Sequence, residues 1–191
     1  MEAETQEAIL AAAVDCFGRF GYRKTSVDQV AQQARVAKGT VYLYCEGKED
    51  LFYQAVHCEL RAWIDEISKR IDPRVPANKL ILEVVSAYMA FVKRHPLVRD
   101  LMLSLLHGQL PRLADQLETL RALGRRHLVE LLELGIRQGV FADDLDVEAT
   151  ADVLHDLHFS HAVLHLEETA TVRRRQAAAA MRLTLRGLEA R

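Results

Sequence analysis

Hydrophobic residues recur with a helical period along almost the whole chain, and this periodicity constrains the fold more than any other feature. No segment keeps the apolar–polar alternation of a half-buried strand, whereas positions three and four residues apart are repeatedly apolar. Glycine and proline, which interrupt helices, number only 9 and 4 among 191 residues, and all four prolines fall between residues 73 and 111. The sequence therefore predicts an all-α protein.

Breaks in the periodicity predict where the helices begin and end. The first helix is expected to end at Gly21, and Thr25-Ser26-Val27-Asp28 has the form of a capping box that opens the second. The others are expected at Lys38–Cys45, Lys48–Ile71, 78–94, 97–107, 112–138, 146–166 and 170–189.

A proline-containing segment at residues 72–76 is the clearest boundary in the chain. It predicts a small domain over residues 1–48, a linking helix over 49–72, and a larger domain over 73–191. At about 1.5 Å per residue the linking helix would be about 36 Å long.

Charge is unevenly distributed, although the chain as a whole has a formal net charge of only −2. Residues 19–48 carry six basic and two acidic side chains, so this window alone has a formal charge of +4. The same window contains two short helices joined by a tight turn, which is the pattern of a helix-turn-helix. Local positive charge on such a motif favours DNA binding, while the net charge excludes a uniformly basic nucleic-acid coat.

Several other classes of protein are not supported by the sequence. The longest stretch without Asp, Glu, Lys or Arg has 11 residues, too short to span a membrane, and the acidic start lacks a signal-peptide pattern. Three cysteines without a CxxC pair suggest neither a disulfide framework nor a cysteine zinc site, so we expect a cytoplasmic protein. We find no catalytic set, phosphate loop or HExxH motif, and we expect neither enzyme activity nor a cofactor.

Two stretches of the basic window resemble the TetR (tetracycline-repressor-like) family of regulators. They are Phe20–Ala31, with the sequence FGYRKTSVDQVA, and Lys38–Phe52, which contains KGTVYLY followed by GKEDLF. The similarity runs from about Ile9 to Val56, roughly a quarter of the chain. It implies a three-helix helix-turn-helix domain followed by a larger helical domain, which binds a small molecule and dimerises through its last two helices.

The resemblance also implies which residues contact DNA. Thr25 would cap the second helix and bond a phosphate, Tyr42 would place its hydroxyl on a phosphate, and Tyr44 would do the same or pack inward. Gly39 would allow close approach of the backbone, and Lys48 would form an anion site with the amides that begin its helix. The full expected set is Thr25, Arg35, Lys38, Gly39, Thr40, Tyr42, Leu43, Tyr44 and Lys48.

Four positions depart from the family pattern. Arg35 stands where glycine is usual, so either a positive φ costs about 1 kcal/mol or the turn is rearranged and Arg35 reaches a phosphate. Ala37 replaces a common serine cap. Leu43 either touches a thymine methyl or packs, and Cys45 replaces a usual phenylalanine, which thins the core of the small domain.

The effector site is expected among helices 78–138, and its residues are mostly apolar, which favours a hydrophobic or aromatic effector. Each of these residues fits plain core packing as well. The predicted lining is Tyr88, Met89, Phe91, Met102, His107 and His127.

The 146–166 helix is apolar on two sides, which predicts two partners: a core and a second chain. Full burial within one subunit is the alternative. Together with the last helix it would form a four-helix bundle in a homodimer. The predicted interface is Leu157, His158, His161, Leu164, His165, Met181, Leu185 and Leu188.

These features predict a homodimeric transcriptional regulator, most simply a repressor released from a palindromic double-stranded DNA operator by an apolar effector. One alternative is a metal-responsive regulator of the same fold that uses the histidines between His155 and His165, of which His158, His161 and His165 share one face. Another is a constitutive DNA-architectural protein without an effector, which would bind all DNA with a steep salt dependence.

Overall fold

The computed structural model describes residues 2–106, 114–164 and 170–189. Side chains at 102–106, 114–118, 159–164, 170, 173 and 174 fall outside this description. The described ranges contain helices and, apart from one isolated bridge between Phe141 and Glu189, no β-structure, so the all-α prediction is confirmed for them. The helices are α1 Glu2–Lys24, α2 Val27–Ala34, α3 Lys38–Val41, α4 Lys48–Ser68, α5 Ala77–Arg94, α6 Pro96–Leu106, α7 Ala114–Arg137, α8 Val147–Leu164 and α9 Ala170–Leu188.

Two helices are shorter than the periodicity predicts. After Val41 the turn tightens, because the Leu43 amide donates to the Thr40 carbonyl at 3.2 Å and α3 ends there. Helix α4 stops at Ser68 instead of Ile71, three residues earlier than expected. Beyond Ser68 the backbone tightens, because the Arg70 amide donates to the Ile67 carbonyl at 2.9 Å.

The chain divides into two compact units. The first unit comprises Met1–Trp63 and Val92–Leu120, and the second comprises Ile64–Phe91 and Arg121–Arg191. Helices α4, α5 and α7 therefore contribute residues to both units. The domain bounds 1–48, 49–72 and 73–191 stay a prediction, because they concern what each segment does and not how compactly it packs.

An aromatic cluster forms the centre of the first unit. The Phe17 and Phe52 rings meet edge to face with centroids 5.0 Å apart, and Tyr22 lies 4.9 Å from Phe52. Such pairs stabilise beyond their buried area. Cys45 is 6% exposed, so it belongs to this core although it fills less volume than a phenylalanine.

Gly21 interrupts α1, as the sequence predicts, with φ +75° and ψ 167°. The residue is held against α6, because the Tyr22 amide donates to Asp100 Oδ2 at 3.3 Å. A Cβ at Gly21 would lie 2.7 Å from the same oxygen, which a small shift of the Asp100 side chain would relieve, so this break favours glycine for its φ.

In the second unit, the ring of Phe141 packs over α7 at Gly135. An added Cβ at Gly135 would lie 1.9 Å from Cδ2 of that ring, which is closer than any two carbon atoms can pack. The Val140 and Phe141 amides both donate to the Gly135 carbonyl, which fixes the ring in place. The Phe141 ring therefore packs against the last turn of α7.

Candidate nucleic-acid interface

Helix α2 begins with a capping box, one residue later than predicted. The Gln29 amide donates to Ser26 Oγ at 3.2 Å, and the Ser26 amide donates to Gln29 Oε1 at 2.7 Å. Both free amides at the helix start are thereby satisfied. The prediction that Thr25 caps this helix with Asp28 is therefore wrong.

Thr25 instead ties α2 to the end of α1. The residue is 2% exposed, and its hydroxyl lies within donating distance of the Cys16 carbonyl at 3.1 Å and the Gly21 carbonyl at 2.9 Å. A buried hydroxyl with its proton already engaged has no route to a phosphate in this conformation. We therefore leave Thr25 out of the proposed DNA contacts.

The turn between α2 and α3 has Arg35 in the left-handed region, with φ 58° and ψ 38°. Arg35 is the only non-glycine residue with a positive φ in the described part of the chain. Its amide donates to the Gln32 carbonyl at 3.2 Å, and the Val36 amide donates to the Ala31 carbonyl at 3.0 Å. This is the usual helix ending that favours glycine, so the structure has the strained turn and not the rearranged one.

Arg35→Gly is expected to be more stable to unfolding than Arg35→Ala by about 1 kcal/mol, because only glycine adopts this φ without a Cβ penalty. Thermal unfolding should separate the two variants by about 2–4 °C. Both substitutions remove the same charge, so their DNA affinities should fall together if the guanidinium reaches a phosphate. Equal midpoints would show that the turn is not strained.

Helix α3 begins without a side-chain cap, since Ala37 occupies the capping position and makes no such hydrogen bond. Beyond it the chain presents an exposed surface formed by Lys38, Gly39, Tyr42 and Leu43, with Leu43 80% exposed. A Cβ at Gly39 would meet nothing within 4 Å. The fold therefore does not require glycine at this position. We call these four residues, with Arg35, the exposed α3 surface.

Two of the predicted contact residues are engaged within the protein. Lys48 Nζ donates to the Arg23 carbonyl at 3.3 Å and lies 4.5 Å from the centre of the Tyr22 ring. Burial lowers the pKa of Lys48. The Tyr44 hydroxyl lies 3.4 Å from the Glu2 carbonyl. In the free protein Lys48 therefore joins α4 to α1, and Tyr44 joins the segment after α3 to the start of α1.

Side chains at the start of α4 are hydrogen-bonded to the segment that follows α3. Asp50 Oδ2 accepts from the Glu46 amide at 2.9 Å and from Gln54 Nε2 at 3.1 Å. The same Gln54 amide group donates to the Tyr44 carbonyl at 3.0 Å. These bonds hold the segment after α3, which begins with Tyr42 and Leu43, against the start of α4.

Residues 9–55 match a family model described as bacterial regulatory proteins, tetR family. Residues 9–55 therefore form a TetR-family domain. TetR-family homologues are transcriptional regulators, and this chain is a DNA-binding transcriptional regulator and not an enzyme. TetR-family regulators bind operator DNA, dimerise and bind small-molecule effectors.

Individual relatives extend the likeness beyond the DNA-binding domain. An uncharacterised HTH-type regulator of Bacillus subtilis, YhgD, is 28% identical over 163 residues, which cover 84% of this chain and 83% of the relative. The fatty acid metabolism regulator protein of the same organism is 27% identical over 148 residues, covering 76% and 75%. The structure of FadR from Bacillus subtilis in complex with stearoyl-CoA has a TM-score of 0.67, at 19% identity and with 96% and 100% coverage.

The predicted effector residues are described only in part. His127 is 1% exposed, and its ring is hydrogen-bonded on both sides: Nε2 lies 3.1 Å from the Ile64 carbonyl and from Ser68 Oγ, and Nδ1 lies 3.2 Å from Glu130 Oε2. An effector contact from His127 would have to replace one of these bonds. Phe91 is buried, Tyr88 and Met89 are half-buried, and burial raises the pKa of Tyr88. The Met102 side chain and His107 lie outside the described residues.

The predicted dimer residues separate into buried and exposed groups. Within one protomer His158, Met181 and Leu188 are already buried and Leu185 is half-buried, whereas Leu157 is 42% exposed. Leu183 on α9, which the sequence prediction did not include, is 74% exposed, because periodicity alone did not show which face of α9 meets its own core. His161, Leu164 and His165 lie outside the described side chains.

Neither a metal centre nor a membrane span is found in the parts of the chain that the structure describes. No three His, Cys, Asp or Glu side chains are grouped there so as to hold a metal ion. The predicted His158, His161 and His165 set is not described as a whole, so the metal-responsive alternative stays a prediction. No helix in these parts has both the length and the apolar character needed to cross a membrane.

Proposed function

We propose that this TetR-family regulator is a cytoplasmic repressor that leaves an inverted-repeat operator when a long-chain acyl-CoA binds it. The observation that carries the DNA part is the exposed α3 surface, which displays basic and apolar side chains around a glycine that the fold does not need. Arg35, Lys38, Gly39, Thr40, Tyr42 and Leu43 are the proposed contacts, with Tyr44 and Lys48 positioning them.

Two observations support an acyl-CoA as the effector: the apolar character of the predicted site and the ligands named for similar proteins. The residues predicted to line the site are largely apolar, as an acyl chain requires. A relative is named a fatty acid metabolism regulator, and a protein of similar fold binds stearoyl-CoA. A long acyl chain buries enough apolar surface to bind without many polar partners.

Release would follow from a shift between two conformations. Helix α4 contributes residues to both units. A shift of this helix would therefore change the spacing between the two DNA-binding domains of a dimer, here called the heads. An effector that binds more tightly to a conformer with wrongly spaced heads depopulates the DNA-competent one. Spin labels on the two heads of a dimer should then report different distances with and without effector.

Titration of the protein–DNA complex tests the proposal, with DNA enriched from a random duplex pool as the probe. Stearoyl-CoA should release the DNA at low micromolar concentration, whereas free CoA should not. Release by zinc, nickel or copper, with none by acyl-CoA, would favour the metal-responsive alternative. A complex that none of these compounds affects would contradict the effector proposal.

A further inference from the structure

An ion pair joins the two helices of the helix-turn-helix beside the exposed α3 surface. Lys38 Nζ donates to Asp28 Oδ2 at 2.9 Å, and the two side chains are 52% and 64% exposed. Asp28 lies in the first turn of α2, and Lys38 is the first residue of α3. The carboxylate raises the pKa of Lys38 through this hydrogen bond. The Asp28 carboxylate therefore pairs with the ammonium group of Lys38 on the exposed α3 surface.

We propose that Asp28 is a specificity-determining residue that holds Lys38 away from phosphates until an operator is met. This inference rests on the proposed DNA-binding function. Affinity for non-operator DNA comes mainly from lysine and arginine neutralising phosphates. DNA that offers only phosphates must break the pair and accept a carboxylate close to its own negative charge. An operator adds base-edge acceptors in the major groove, which compensate for the lost partner.

The fold does not need this pair for stability. Exposed ion pairs contribute little to folding, because water screens them and both side chains must be ordered. The two helices are already held together by buried residues, among them Val30, Ala31 and Val41, and by the turn at Arg35. An effect of removing the carboxylate should therefore appear in DNA binding and not in the unfolding temperature.

The test compares Asp28→Asn with Asp15→Asn in the full-length dimer. Asp15 is a matched control, since it too pairs on the surface of the first unit, with Arg19 at 3.4 Å and Gln33 at 2.7 Å, but does not touch Lys38. Affinity is measured against salt for the enriched operator and for a scrambled duplex. Asp28→Asn should raise affinity for the scrambled duplex roughly three- to tenfold at fixed salt.

The salt dependence provides a second readout. Freeing one lysine per head should steepen the slope of log affinity against log salt by about one, hence by about two for the dimer. Operator affinity should change less, so the ratio of operator to scrambled affinity falls. In a Lys38→Gln background the slope change should disappear.

Three outcomes would overturn the inference. Equal tightening on both duplexes, or the same behaviour from Asp15→Asn, would show a general charge effect. An unchanged slope would show that the substitution frees no lysine for a phosphate. If the wild-type protein enriches an operator and Asp28→Asn behaves as the control does, only this inference fails. A wild-type protein that enriches no sequence contradicts the proposed function, while the slopes on scrambled DNA still decide the role of Asp28.

Discussion

Gly39→Leu is expected to lower operator affinity on the order of a hundredfold or more while leaving the unfolding temperature within about 2 °C of the wild type. Gly39 lies on the exposed α3 surface, and a Cβ there would meet no atom of the protein within 4 Å. The larger side chain therefore costs the free protein nothing in packing. On DNA it would hold both recognition helices of the dimer away from the base edges. Fluorescence titration of the enriched operator measures the loss.

Gly18→Leu is the matched control for this prediction. A Cβ at Gly18 also meets nothing within 4 Å, and the residue lies on α1, outside the exposed α3 surface. Its substitution should change neither stability nor operator affinity by a comparable amount. Wild-type affinity in Gly39→Leu would mean that DNA approaches some other surface of the first unit.

Gly135→Ala is expected to destabilise the protein by about 3 kcal/mol, the upper end of the range for an overpacked core. The added Cβ would lie 1.9 Å from the Phe141 ring, and Phe141 is only 2% exposed, so the ring cannot swing aside into solvent. Thermal unfolding should fall by about 6–12 °C for a chain of this size.

Two further variants decide whether this clash is the cause. Gly187→Ala lies on α9, where a Cβ meets nothing within 4 Å, and should leave stability unchanged or slightly raised. Adding Phe141→Leu to Gly135→Ala should recover part of the loss, because the smaller side chain leaves room for the methyl group. A Gly135→Ala protein as stable as the wild type would show that the ring does not pack over α7.

The sequence predicts the helices well because their periodicity and breaks are local properties. It misplaced the capping box by one residue, since Thr25 with Asp28 and Ser26 with Gln29 have equally suitable spacing. The choice between them depends on Thr25 reaching the carbonyls of Cys16 and Gly21, a contact made only after α1 and α2 pack.

In the candidate site, too, some features follow from the local sequence and others depend on how the helices pack. The positive φ at Arg35 is one of the two alternatives that the family pattern leaves open, and the structure shows it. The inward position of Lys48 and the pairing of Lys38 with Asp28 depend on how neighbouring helices pack, which residue spacing does not specify. The bonds among Glu46, Asp50 and Gln54 that hold the segment after α3 are local, and their i and i+4 spacing is visible in the sequence.

Selection from a pool of random duplex DNA at moderate salt tests the central claim most directly. Two recognition helices related by a dimer axis should enrich an inverted repeat whose half-sites are one helical turn apart, about 34–36 Å, or a multiple of it. One fixed half-site spacing in the bound fraction is the result that we predict. Binding without enrichment, which simply weakens as salt rises, would contradict the account and indicate that the chain binds only the DNA backbone.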